Sequence, residues 1–162
     1  MPSSNWCKEQ LRFAYALALK SPDTSTQNGA IVFDRDRTII GRGVNEFTKN
    51  IAVTKDLLER PKKYSFIEHA ERNAIYNCFG SINRPSIMVC CWAACTDCAR
   101  AIVQSGITML IRHERIDTSG RWSESINWAN DILTIGGVHV VSIEGILGGC
   151  EPVLFNGELL SP

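Results

Sequence analysis

An α/β layered domain is what this sequence predicts, and three observations predict it. Strand-like and helix-like stretches alternate after residue 69, the apolar runs are short enough for strands, and turn residues stand where each element should stop. At 162 residues the chain can bury one substantial core but not comfortably two. A single domain over 1–162 is therefore expected, with a core of about residues 5–143 and a tail, 144–162, packing on it or on a neighbouring subunit.

Taken in order, positions 5 to 20 carry Trp6, Leu11, Phe13, Leu17 and Leu19 at helical spacing, with Asn5 as a candidate cap and Ser21-Pro22-Asp23 as the stop. GAIVF (29–33) and TIIGRGV (38–44) read as strands around the polar turn DRDR. The charged stretch 46–67 has no clean period, which marks a covering or functional loop. EHAERNAIYNC (68–78) is helical, and SIMVCCW (86–92) is a buried strand. CTDCARAIVQSG (95–106) is a helix closed by Gly106. ITMLIR (107–112) is a strand, 121–135 a helix ending at Gly136-Gly137, and VHVVSI (138–143) a last strand. In the tail, Asn156-Gly157 is a turn between short apolar runs.

Composition removes several function classes. Lys plus Arg number 17 against 17 Asp plus Glu, so the chain lacks the basic surplus from which non-specific polynucleotide affinity comes. No apolar run is long enough for a membrane span, and Lys8, Glu9 and Arg12 interrupt the N-terminal apolar stretch, unlike a signal peptide. Seven cysteines without disulfide-framework spacing place the protein in a reducing cytoplasm, where clustered Cys points to metal or catalysis.

The chemistry concentrates in two short stretches. His69 opens a helix with Glu71 two residues on, and Cys95-Thr96-Asp97-Cys98 opens another. A Cys-x-x-Cys in a first helical turn puts both sulfurs on one side, where the positive end of the helix dipole favours thiolates. One His and two Cys are the ligand count of a catalytic zinc with an open fourth position for water. Glu71 diverges from His69 and is placed to shuttle protons at that water. The reaction class is hydrolytic attack on an amidine-like ring carbon with loss of ammonia. The rival readings of these sulfurs are a redox Cys-x-x-Cys and a structural zinc knot drawing on all of CCWAACTDC.

Histidine-x-Glu followed by Cys-x-x-Cys is the signature of zinc nucleobase deaminases. The sequence resembles that superfamily, and within it the cytidine/deoxycytidylate (dCMP) deaminase family, through NGAIVFDRDRTIIGRGVN, HAERNAI, CTDCARAIVQSGI and WANDILTIGGVHVV, spread over about residues 28–141. The resemblance implies a cytidine-deaminase-like three-layer α/β/α sandwich with a mixed, five-stranded sheet. It implies Zn2+ on His69, Cys95 and Cys98, and Glu71 as general acid and base. It implies a substrate that is a cytosine mononucleotide, most directly dCMP converted to dUMP, and a homo-oligomer. Asn45 matches the family asparagine expected at the sugar, and Gly29 and Ala30 match the strand lining the base pocket. Ala94 stands at that pocket where the family has proline; alanine is compatible with the same backbone. IRHE stands where the family often has an aromatic-rich segment.

Further substrate contacts are expected among Lys63, Tyr64, His113 and Arg115, with Arg60, Lys62, Arg112 and Arg121 as other candidate phosphate ligands and Phe66 as a stacking or anchoring residue. Cys90 and Cys91 should alternate faces of a buried strand as small hydrophobes, and Cys7, Cys78 and Cys150 should pack likewise. His139 reads as structural, and Trp122 and Trp128 as core or subunit-interface residues. The alternatives are another deaminase of the superfamily acting on a free base, guanine, a pterin-like ring or tRNA adenosine, a non-enzymatic zinc module, and a zinc-bound but silent homologue.

Overall fold

The helix expected at the N-terminus is α1 (Ser4–Ala18), and its cap is Ser3, whose hydroxyl accepts from the Trp6 N–H. Ser3 is extended and stands just before the first helical residue, as an N-cap must, whereas Asn5 already lies within the first turn. The computed structural model describes residues 1–82, 85–114, 120 and 122–162. Strands β1 (Gly29–Phe33) and β2 (Ile39–Val44) pair antiparallel. The Asp34 carboxylate closes the turn between them by accepting from the N–H groups of Asp36 and Thr38. The aperiodic stretch is a small layer of its own. β3 (Glu46–Phe47) pairs with β4 (Ile67–Glu68), and two 3-10 turns, Lys55–Leu58 and Lys62–Ser65, lie between them. Phe47, Leu57 and Ile67 with Phe66 give this layer its apolar centre, so Phe66 anchors the segment.

Beyond it the alternation is that of the sequence: α2 (Ala70–Tyr76), β5 (Ile87–Cys90), α3 (Thr96–Ser105), β6 (Met109–His113), α4 (Ser123–Ile135) and β7 (His139–Ile143). The α3 helix ends at Gly106, whose φ of 89° is in the left-handed region. A hairpin of β8 (Val153–Phe155) and β9 (Glu158–Leu160) turns at Asn156-Gly157.

One mixed sheet of five strands, in the order β2-β1-β5-β6-β7, carries the layers. β1 runs antiparallel to β5, while β5, β6 and β7 are parallel, as their crossover helices require. The two-residue period of the strands sorts the core. Ala30, Val32, Met88, Cys90 and Leu110 face α2, α3 and α4. Ile31, Phe33, Val89, Cys91 and Ile111 face α1, with Leu11, Ala14 and Tyr15. Burying each large side chain of these layers contributes about 1.5–3 kcal/mol. Cys90 and Cys91 therefore lie on opposite faces, each wholly buried. The tail covers the α1 side: Leu147 and Val153 join that core, and the Arg12 guanidinium donates to the Leu147 and Gly148 carbonyls at 2.8 and 3.0 Å.

Small residues on β2 fix where α2 sits. A Cβ at Gly43 would come within 2.3 Å of the Ala70 carbonyl oxygen and 2.4 Å of the Ala74 nitrogen. The backbone of α2 thus rests directly on the sheet, and any side chain there would lift the helix that carries Glu71. No helix among the described residues is long and apolar enough to cross a membrane. All seven cysteines are free thiols. His139, read as structural, is exposed, because β7 is an edge strand and residue 139 opens it.

Candidate active site

Two helix starts meet above the parallel strands. His69 is the N-cap residue of α2 and Cys95 that of α3, both extended, and neither side chain caps its own helix. Each points instead at the other: Cys95 Sγ lies 3.5 Å from His69 Nδ1, and Cys98 Sγ, one turn into α3, also lies 3.5 Å from it. A tetrahedral zinc with Zn–N near 2.0 Å and Zn–S near 2.3 Å separates a nitrogen and a sulfur ligand by about 3.5 Å. The three donor atoms lie within 4.8 Å of one another, and they form the only His/Cys/Asp/Glu cluster of this kind among the described residues. The donor set fits zinc and has three members, so no described side chain fills a fourth tetrahedral position. The all-cysteine knot is thereby corrected: Cys90 Sγ turns to the Trp92 carbonyl and Cys91 Sγ to that of Gly29.

The electrostatics match a dication. The Cys98 thiol donates to Cys95, and with His69 this outweighs burial and pulls Cys95 down to about 3. The same bond, with burial and the nearby Glu71, pushes Cys98 well up. The pair thus shares one proton, which a bound metal displaces. Arg72 stands behind the sulfurs, its Nη1 3.5 Å from Cys98 Sγ and its Nε donating to Glu68 at 2.5 Å. A hydrogen bond onto a ligating sulfur orients it and moderates its charge.

Glu71, 2% exposed, sits in the first turn of α2. Burial pushes its carboxyl above the ordinary range, with His69 acting in the opposite sense. Asn28 Nδ2 donates to Glu71 Oε2 at 3.1 Å. Asn45 braces the same helix start, its Oδ1 accepting from the Ala70 N–H at 2.9 Å while its Nδ2 donates to the Thr26 carbonyl at 2.8 Å.

His69, Glu71 and Cys95 open onto a cavity. Tyr64, Trp92, Trp122 and Phe155 wall it, with the Trp122 ring 5.9 Å from Tyr64 and 6.4 Å from His69. Its lining also carries charge. The Lys63 ammonium donates to Asp23 at 2.7 Å and to Ser25 Oγ, and Arg60 Nη2 donates to Ser25 Oγ at 3.1 Å. Lys63 is only 2% exposed, which a lysine accepts because Asp23 neutralises it.

Of the residues singled out in the sequence, His69, Glu71, Cys95, Asn45, Arg60, Lys63 and Tyr64 line this cavity, and Cys98 joins His69 and Cys95 in the donor cluster. Gly29, Ala30, Ala94 and His113 do not line it. Gly29 packs on α1, where a Cβ would meet the Ala14 carbonyl oxygen at 2.2 Å, and Ala30 and Ala94 are wholly buried in the core on the α2 side. His113 is buried on the α1 side, between Tyr15 and the Gly145 carbonyl. Arg112 bonds Ser142 and Asn130, and Lys62 pairs with Asp56 at the surface. Arg115 and Arg121 lie outside the described residues. The sequence reading missed Asn28, Trp92, Phe155 and Arg72, and assigned Trp122 to the core or an interface; Trp128 is exposed.

Comparison with known proteins agrees with this geometry. Residues 4–114 match the family model described as the cytidine and deoxycytidylate deaminase zinc-binding region. An uncharacterized deaminase from the luxG 3' region of Aliivibrio fischeri is 33% identical over 85% of this chain and 92% of its own length. The deoxycytidylate deaminase of Mus musculus is 30% identical over 65% of this chain and 63% of its own. The chain thus spans roughly half to two thirds of the curated deoxycytidylate deaminases that it matches, 51% to 63% of their length. The dCMP deaminase of cyanophage S-TIM5, solved with dCMP and dUMP, has the same fold at a TM-score of 0.66 and 21% identity, over 88% of this chain and 100% of that one.

Proposed function

The chain belongs to the cytidine and deoxycytidylate deaminase zinc-binding family, and we propose that it hydrolyses the amino group of a cytosine mononucleotide, dCMP becoming dUMP and ammonia. One observation carries the reading: a buried carboxyl, Glu71, stands beside a three-donor zinc set at an aromatic cavity whose lining also includes Arg60 and Lys63.

His69, Cys95 and Cys98 hold the zinc, which supplies the Lewis acidity that lets water attack near neutral pH. The remaining work belongs to the protein. Tyr64, Trp92, Trp122 and Phe155 offer faces and edges to a flat base and exclude bulk water. Glu71 takes a proton from the attacking water and gives it to the ring nitrogen beside the reacting carbon, then takes the second proton from the hydroxyl now on that carbon and gives it to the departing amine as the carbonyl forms. The new bond joins the water oxygen to the ring carbon, and the carbon–nitrogen bond breaks with its electron pair leaving on ammonia. Its raised pKa suits Glu71 to hold each proton between those transfers. The Arg60 guanidinium, with Lys63 behind it, supplies the positive end for a phosphate.

The test is ammonia release by purified, zinc-loaded protein offered cytosine nucleotides, cytosine nucleosides and guanine. Preference for dCMP is the expected result; turnover of guanine or a nucleoside with none of any mononucleotide would contradict it.

A further inference from the structure

The amide of Asn28 is half used by the protein. Its Nδ2 donates to Glu71 Oε2 at 3.1 Å. Its Oδ1 is fully buried with no hydrogen-bond donor among the described residues, and the residue, 4% exposed, lines the cavity beside Glu71. Glu71 fixes which way the amide faces, because the reversed orientation would set two acceptor oxygens together. A buried acceptor left without a donor destabilises the fold, and beside a catalytic carboxyl it is a group waiting for a ligand N–H.

We infer that Asn28 is a two-ended active-site residue, its Nδ2 holding the Glu71 carboxylate and its Oδ1 accepting an N–H of the ring amine that is removed. The inference rests on the deaminase reading above. The substrate class it selects is a heteroaromatic ring with an amino group on the reacting carbon, since that group brings two N–H donors. In the substrate the amine is planar and conjugated. As the carbon becomes tetrahedral and Glu71 delivers its proton, the amine becomes a stronger donor, leaving as ammonia when the carbon–nitrogen bond breaks. The contact to Oδ1 therefore tightens toward the transition state, which raises turnover rather than mere affinity. The product has a carbonyl at that position and sets an oxygen against Oδ1, so the same atom favours product release. Asn28 thus positions one partner of the proton transfer and discriminates substrate from product.

The experiment measures kcat and KM for the cytosine nucleotide, the inhibition constant of the uracil product, and zinc content, in zinc-loaded wild type, Asn28→Leu and Asn28→Asp. Leucine has nearly the shape of asparagine without donor or acceptor. Asn28→Leu is expected to keep its zinc, lose about 100-fold in kcat, and lose about tenfold in its preference for substrate over product. Asn28→Asp restores an acceptor but no donor, so it should recover the wild-type preference while kcat stays low. A merely structural residue would not separate those two readouts. The inference is overturned if either variant turns over within about threefold of wild type, or if Asn28→Leu leaves the preference unchanged. Should Asn28→Leu fail to fold, the isosteric Asn28→Asp decides alone: low kcat with the wild-type preference supports the inference, and both unchanged or both lost overturns it. A wild type that releases ammonia from a different ring amine displaces the nucleotide reading, and the same comparison is then made on that amine. Release from no ring amine overturns both.

Discussion

His69, half-buried, and His113, wholly buried, lie on opposite sides of one five-stranded sheet, yet their surroundings assign them different work. Nε2 of His113 lies 2.7 Å from the Gly145 carbonyl and donates to it, and Nδ1 lies 2.8 Å from the Tyr15 hydroxyl. The same hydroxyl donates to the Cys91 carbonyl at 3.3 Å, and burial in the core pushes the Cys91 sulfur well up, which keeps it a thiol. That cluster joins α1, β5, β6 and the tail. Nδ1 of His69 instead faces two sulfurs 3.5 Å away, one of them held as a thiolate, beside an open cavity. A histidine whose nitrogens are both taken by protein is a structural bolt. One whose nitrogen meets two sulfurs at the spacing of zinc ligands belongs to a donor set that fits a metal.

The comparison breaks most visibly when the metal side is cut. His69→Ala, Cys95→Ala or Cys98→Ala should each lose zinc and ammonia release together, with stability falling by roughly 2–4 kcal/mol at saturating metal. Metal analysis and thermal unfolding of the same samples check this. Arg60→Ala should leave zinc bound and raise KM for a mononucleotide about tenfold, with little effect on the nucleoside. Steady-state kinetics on the two substrates separates those effects. Cutting the other side should sharpen the contrast. Tyr15→Phe should cost about 1–2 kcal/mol of stability through the lost hydrogen bond to His113, with zinc content and kcat unchanged, as denaturant unfolding and metal analysis would show. The smallest effect belongs to Cys91→Ala, a loss of about 1 kcal/mol in the same unfolding assay with full zinc retained.

The parts of this molecule that were legible in the sequence are the local ones. The short apolar runs GAIVF and IMVC, the Gly106 stop and the Asn156-Gly157 turn each depend on a few neighbouring residues, and the sheet and its helices follow from them. The meeting of His69, Cys95 and Cys98 was legible because His69-x-Glu71 and Cys95-x-x-Cys98 are each written within one helix start. What escaped is set by long-range contact. Asn28 meets Glu71 across 43 residues, and Arg72 meets Cys98 across 26. Trp122 looked like a helix residue yet stands at the cap of α4, where its ring turns to the cavity. His113 drew attention by its place at a strand end, but the parity of β6 sends it to the α1 side.

The central claim is that the zinc cluster is catalytic and that Glu71, beside it, moves the protons. It is tested most directly by the rate of ammonia release from dCMP by zinc-loaded Glu71→Ala, with metal content measured on the same sample. The expected result is a full zinc complement and a rate lowered by about a thousandfold or more. A rate within about tenfold of wild type, with the metal in place, would contradict it.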